Sequence, residues 1–180
     1  MTLLRFDGVS KKYPGDHLAL DNVSFSVQAG EMLFITGHSG AGKSTLLKIA
    51  HISERPTSGA VWFDGVNLNK IRGNKIALHR RKLGVVHQDH CLLLDQTVFD
   101  NVALPLLLAG ASPTQIKVRV HQVLDSLGLA NRYHSISADL STGEQQRVGI
   151  ARAMVAEPDL LLADEPTGNL DPSLAADIMQ

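Results

Sequence analysis

The stretch that most constrains this chain is Gly37-His38-Ser39-Gly40-Ala41-Gly42-Lys43-Ser44-Thr45, which fits G-x-x-x-x-G-K-[ST], the spacing of a phosphate-binding P-loop. Gly37, Gly40 and Gly42 let the backbone turn tightly and bring its N–H groups close to an anion. Lys43 supplies a point charge for the outer phosphates of a nucleotide, and Ser44 offers a hydroxyl ligand to Mg²⁺. The residues after Lys43 begin a helix whose positive N-terminal end faces the same anion. Before the loop, Met32-Leu33-Phe34-Ile35-Thr36 has the length and polarity of a buried strand. A chance glycine-rich turn does not account for strand, loop, Lys-Ser-Thr and helix in that order.

Bulk properties exclude several classes. With 180 residues, 44% apolar and 19% charged, the chain has the makings of one ordinary globular domain, residues 1–180. A net charge of -1 gives no global reason to expect nucleic acid. The single cysteine, Cys91, cannot form an internal disulfide and suits a reducing compartment. The N-terminus carries Arg5 and Asp7, too early for a signal peptide. The longest apolar run, Val102 to Ala111, contains Pro105 and is about half of the ~20 residues a membrane span needs. The expectation is a cytosolic protein with no direct membrane insertion, reaching any membrane through a partner.

Strands are expected at Leu3–Val9 and Val23–Val27, joined by a turn-rich link over 11–16. Pro56-Thr57-Ser58-Gly59 turns into a strand at 60–63. Further on, 76–83 reads as a short helix and 84–87 as a strand ending at Gln88. A helical pattern covers 97–108, with Pro105 expected to kink or interrupt it. Ser112-Pro113 opens a helix with Ile116, Val120, Val123, Leu124 and Leu127 on one face, ended by Gly128. Another helix spans 143–155. The expected fold class is α/β: a core around the P-loop, an antiparallel β-subdomain, and a helical insertion subdomain over about 89–157.

Leu160-Leu161-Leu162-Ala163-Asp164-Glu165 sets two carboxylates at the end of a buried strand, the edge where α/β sheets bind ligands. Asp164 is suited to hold Mg²⁺, and Glu165 to orient or deprotonate an attacking water.

Taken together, the P-loop, Gln88, Leu140-Ser141-Thr142-Gly143-Glu144-Gln145-Gln146-Arg147, Asp164-Glu165-Pro166-Thr167 and Asn169-Leu170-Asp171 resemble an ABC-type ATPase nucleotide-binding domain over the whole chain. Within that family the resemblance is strongest to bacterial cell-division ATPases, with lipoprotein-release and macrolide-export ATPases as close relatives. The resemblance implies a P-loop NTPase core of ABC type that binds ATP with Mg²⁺. It gives Tyr13 the role of stacking on adenine, although the residue alone reads equally as part of a turn. It gives Gln88 contact with Mg²⁺ and the attacking water. Ser141 and Gly143 match the signature that closes over the γ-phosphate held by an opposite subunit, and Asp171 lies in the loop that crosses between subunits. The implied assembly is a homodimer through ATP, coupled to an integral membrane partner at the cytoplasmic face of the bacterial inner membrane.

Two departures qualify the resemblance. Thr142 stands where the signature has its first glycine. The chain also stops at Gln180, inside the helix expected after Asp171, so the family's next strand and switch histidine are absent; none of the eight histidines lies after Asp171. The resemblance therefore implies a truncated product, and leaves an ATP-binding but weakly hydrolytic scaffold as an alternative. Other features read more plainly. His87, His90 and Cys91 suggest zinc, but a fourth ligand at finger-like spacing is missing. His79-Arg80-Arg81-Lys82 reads as a solvated helix face, and Leu92-Leu93-Leu94 as core.

Overall fold

The structure, a computed structural model, describes residues 1–165, which fall into two compact units, Met1–Arg80 and a second beginning at Arg81. The first is built on a four-stranded antiparallel sheet in the order β2-β1-β3-β4, from β1 (Thr2–Tyr13), β2 (His17–Gln28), β3 (Ser58–Phe63) and β4 (Val66–Asn67). Both N-terminal strands are longer than the sequence pattern suggests. The polar stretch at Lys11 and Lys12 stays in the ladder, opposite Leu20 and Leu18, and the turn shrinks to Pro14-Gly15-Asp16. One sheet face meets solvent, so lysines there do not end the pairing. The other face buries Leu4, Phe6, Val9, Leu20, Val27, Val61 and Phe63.

Helix α1 (Lys43–Ala50) follows the P-loop and buries Leu46, Ile49 and Ala50. Helix α2 covers Asn74–Arg81. Its basic run is not simply a solvated face. His79 is buried, its Nε2 donating to the Ala50 carbonyl at 2.8 Å, while Arg80 donates to the carbonyls of His51 at 3.2 Å and Ile52 at 3.0 Å. These two side chains satisfy carbonyls at and just beyond the C-terminus of α1 that have no partner within the helix.

The expected strand at 32–36 is not formed. Met32, Leu33, Phe34 and Ile35 have no ladder partner among the described residues, and they are exposed. An apolar run supplies a reason for burial, but a strand also needs a neighbour for its backbone N–H and C=O groups.

In the second unit β5 (Leu83–Val86) and β6 (Leu160–Ala163) pair in parallel, Leu83 opposite Leu160 and Val86 opposite Ala163. Gly84 is required by space: a Cβ there would lie 2.4 Å from the Ala153 carbonyl oxygen and 2.8 Å from Leu161 Cδ1. Helices α3 (Val98–Ala109), α4 (Pro113–Ser126) and α5 (Thr142–Met154) enclose a core of Val98, Val102, Leu106, Ile116, Val120, Leu124 and Val148. Burial of each such side chain is worth about 1.5–3 kcal/mol. Of the kink or interruption expected at Pro105, the interruption does not occur: α3 runs through Pro105 as one helix to Ala109 and is capped by Gly110. Burial of Val102, Ala103 and Leu106 on either side of the proline overrides the local penalty.

Helix α4 starts in a capping box between Ser112 and Gln115. Asn101, fully buried on α3, ties down the preceding loop. Its Nδ2 donates to Leu93 O, Thr97 O and Ser137 Oγ at 2.9, 3.1 and 3.0 Å, and its Oδ1 accepts from Leu93 N at 2.8 Å. Leu92 is half-buried against the helical core, whereas Leu93 and Leu94 are exposed, so only the first of the three leucines packs as expected.

Candidate functional site

Of the P-loop residues, Gly37, His38, Ser39, Gly40 and Ala41 form an exposed loop that passes through Gly42 into α1, whose first turn holds Lys43, Ser44 and Thr45. Gly42 is the N-cap, with φ 94° and no side-chain cap. A Cβ on Gly42 would lie 2.3 Å from the Ala19 carbonyl oxygen and 2.8 Å from Leu20 Cδ2 on β2, so only glycine fits. The first turn of α1 holds no acidic residue, and its N–H groups are left for an anion. Lys43 folds back over the loop, Nζ donating to the carbonyls of Gly37 at 2.8 Å and His38 at 3.0 Å. The loop closes on itself through Ala41 N to His38 O at 3.2 Å. A cationic end, uncapped N–H groups and a glycine seat that a side chain would fill are the features a polyphosphate needs. Tyr13, at the end of β1, is half-buried, with Lys11 Nζ 4.8 Å from its ring centroid.

In the second unit, pairing of β5 and β6 brings their carboxyl ends level. Asp164 N donates to Val86 O at 3.0 Å, extending the ladder by one residue. Gln88 and Glu165, each two residues past a paired position, then meet: Gln88 Nε2 donates to Glu165 Oε2 at 3.2 Å. Glu165 has φ 51°, a left-handed conformation that costs a residue with a Cβ about 1–2 kcal/mol. Gln88 and Asp164 each offer a hard oxygen donor of the kind Mg²⁺ takes, and so, within the first unit, does the Ser44 hydroxyl.

The signature segment starts α5. Ser141 is the N-cap, its Oγ accepting from Glu144 N at 3.3 Å while Glu144 Oε2 accepts from Ser141 N at 2.9 Å and Ser141 Oγ at 2.8 Å. Glu144 Oε1 also accepts from Arg132 Nε at 2.8 Å. Hydrogen bonds from the Ser141 backbone and hydroxyl, reinforced by Arg132, hold the Glu144 carboxyl below the usual glutamate range. Thr142 and Gly143 occupy the first two helical positions, so their N–H groups point out of the helix end. Thr142 is exposed and Gly143 half-buried. Asp171, with 166–170, lies outside the described residues.

Sequence reasoning missed a long-range tie within this unit. Arg152 on α5 donates Nη1 to Cys91 O at 2.7 Å and Nη2 to His90 O at 2.6 Å. The guanidinium thereby fixes the segment just after Gln88 to the signature helix. No local pattern announces a contact between residues 61 and 62 positions apart. The Ser141–Glu144 capping box was missed as well, although its signal, the Ser-x-x-Glu spacing, is present in the sequence.

The ABC transporter family profile matches residues 20–168. The cell division ATP-binding protein FtsE of Escherichia coli strain K12 is 52% identical over 178 residues, covering 99% of this chain and 80% of that protein. FtsE of Bacillus subtilis strain 168 is 43% identical over 178 residues, covering 99% and 78%. Among solved structures, a bacterial ABC transporter cassette determined as a dimer matches with TM-score 0.92 at 35% identity, over 99% of this chain and 80% of that one. The same cassette in a dimeric post-hydrolysis state bound to ADP and phosphate matches equally, with TM-score 0.92. Among the described residues no helix is long and apolar enough to cross a membrane. This chain belongs to the ABC transporter family, as one of its α/β, ATP-hydrolysing nucleotide-binding domains.

Proposed function

We propose that this chain is the ATP-binding subunit of an ABC-type complex that hydrolyses ATP in a head-to-tail homodimer. It drives an integral membrane partner, FtsX-like, in bacterial cell division at the cytoplasmic face of the inner membrane. The observation that carries the catalytic part is the Gln88–Glu165 hydrogen bond at the ends of two in-register parallel strands. The cellular role is supported by relatives named FtsE, one of them 52% identical, and the dimer by the dimeric cassettes that share the fold. Residues 1–180 form part or all of a single nucleotide-binding domain, with about 89–157 as its helical subdomain.

Tyr13 stacks on the adenine. Lys43 exchanges the carbonyls of Gly37 and His38 for the outer phosphates, which lie against the N–H groups of the P-loop and of the first turn of α1. Ser44, Gln88 and Asp164 would hold Mg²⁺, which when bound neutralises charge on the transferring phosphoryl group. Glu165 accepts a proton from the attacking water, and Gln88 orients that water and the carboxylate together. Ser141 and Gly143 of one protomer close over the γ-phosphate held by the other, with the N–H groups of the α5 N-terminus directed at it. ATP thus favours the closed pair, and hydrolysis releases it.

The test is affinity purification of the chain with its membrane partner, alongside size-exclusion chromatography with ATP. Recovery of an FtsX-like protein and an ATP-dependent shift to a dimer are expected. Recovery of an exporter permease instead would overturn the cell-division assignment, and a monomer at saturating ATP would overturn the composite site.

A further inference from the structure

The segment after β5 gathers, on either side of Gln88, three different metal-ligating side chains that have no role in the nucleotide site. One ligand atom from each of His87, Asp89 and Cys91 lies within 4.8 Å of the others, and all three residues are exposed. His90, which sequence spacing had grouped with His87 and Cys91, is buried instead, and Asp89 takes its place in the cluster. We propose that His87, Asp89 and Cys91 form a site for a borderline-soft divalent cation of the Zn²⁺ class, with water completing the coordination.

The donor set decides which ion. An imidazole, a carboxylate and a thiolate together favour Zn²⁺ or Co²⁺, whereas Mg²⁺ takes oxygen donors and is directed to the nucleotide site. Three protein ligands with an open fourth position is a known zinc arrangement. Cys91 Sγ now donates its proton to Asp89 Oδ1 at 3.0 Å. That hydrogen bond raises the thiol above its ordinary value, burial adds to it, and the carboxylate's like charge further opposes the thiolate. A cation between sulfur and oxygen takes the place of the shared proton, which leaves to solvent, and turns the repulsion into attraction. The scaffold is also braced: Arg152 grips the carbonyls of His90 and Cys91 at 2.6 and 2.7 Å. The ligands therefore need side-chain rotation rather than backbone rearrangement to close on the ion.

Gln88 lies inside this segment, so an ion held by its two flanking residues restrains it. That consequence, unlike the site itself, rests on the role proposed above for Gln88.

The test is titration of the full chain with Co²⁺ in the absence of nucleotide, followed by absorption. A thiolate-to-cobalt charge-transfer band saturating near about one equivalent and displaced by Zn²⁺ is expected. It should vanish in Cys91→Ser, persist in His134→Ala, and require at least about tenfold more Co²⁺ in His87→Ala and in Asp89→Asn. Absence of the band overturns the site, as does a band unchanged in His87→Ala and Asp89→Asn, which would mean a thiol acting alone. Zn²⁺ should also lower ATP turnover of the parent chain more than that of Cys91→Ser; superimposable inhibition curves overturn the restraint on Gln88. The cobalt spectrum does not involve ATP, so its outcome is separate from that of the ATPase assignment.

Discussion

Gln88 Nε2 donates to Glu165 Oε2 at 3.2 Å, although the two residues are 77 positions apart in the chain. Their meeting follows from backbone pairing. Val86 lies opposite Ala163 in a parallel ladder, so residues two positions further on emerge side by side at the carboxyl edge. A strand slip of one residue would turn one of the two side chains to the opposite face.

Lys43→Ala should remove ATP binding while leaving the fold in place. The lysine's hydrogen bonds are to the carbonyls of Gly37 and His38 in an exposed loop, so stability should change by no more than about 0.5 kcal/mol. Titration with a fluorescent ATP analogue, beside a urea denaturation curve, checks both halves. Nucleotide binding equal to that of the parent chain would contradict the cradle.

Gly42→Ala should destabilise the protein as well as weaken ATP binding. The position has φ 94°, and the added Cβ would meet the Ala19 carbonyl oxygen at 2.3 Å. The backbone conformation alone costs about 1–3 kcal/mol. A lowered urea midpoint is expected, and an unchanged midpoint would show that the P-loop relaxes away from β2.

The capping box at the signature helix makes stability depend on pH in a defined direction. Glu144 is held below the usual glutamate range by Ser141 and then Arg132, so it binds protons less readily folded than unfolded. Its contribution is fully present above the unfolded value near ~4.3 and is lost as pH falls through the lower folded one. Glu144→Gln should therefore be less stable than the parent at neutral pH, with the gap closing in acid. Denaturation midpoints measured from pH 7 downward check this, and a gap constant with pH would contradict it.

The parts of the site carried by contiguous segments were legible in the sequence. The P-loop needs glycines at set positions and a lysine at the start of a helix, and its conformation is local. The same holds for Asp164-Glu165 after β6. What the sequence withheld depends on partners. Met32 to Ile35 has a strand's composition, but no neighbouring strand pairs with it among the described residues. Lys11 and Lys12 looked like a link, yet β2 holds them in the sheet. Arg152 gripping His90 and Cys91, and Asn101 gripping Leu93, are side-chain contacts to backbone that follow only from packed elements. Asp89 joined the candidate metal ligands, and His90 left them, for the same reason.

The central claim is that Glu165, held by Gln88, drives hydrolysis without being needed to bind ATP. The most direct test is phosphate release by Glu165→Gln, measured beside its ATP affinity. The account predicts affinity like that of the parent chain, at least about a hundredfold slower release, and accumulation of an ATP-bound dimer. Parent-like release from Glu165→Gln would contradict it.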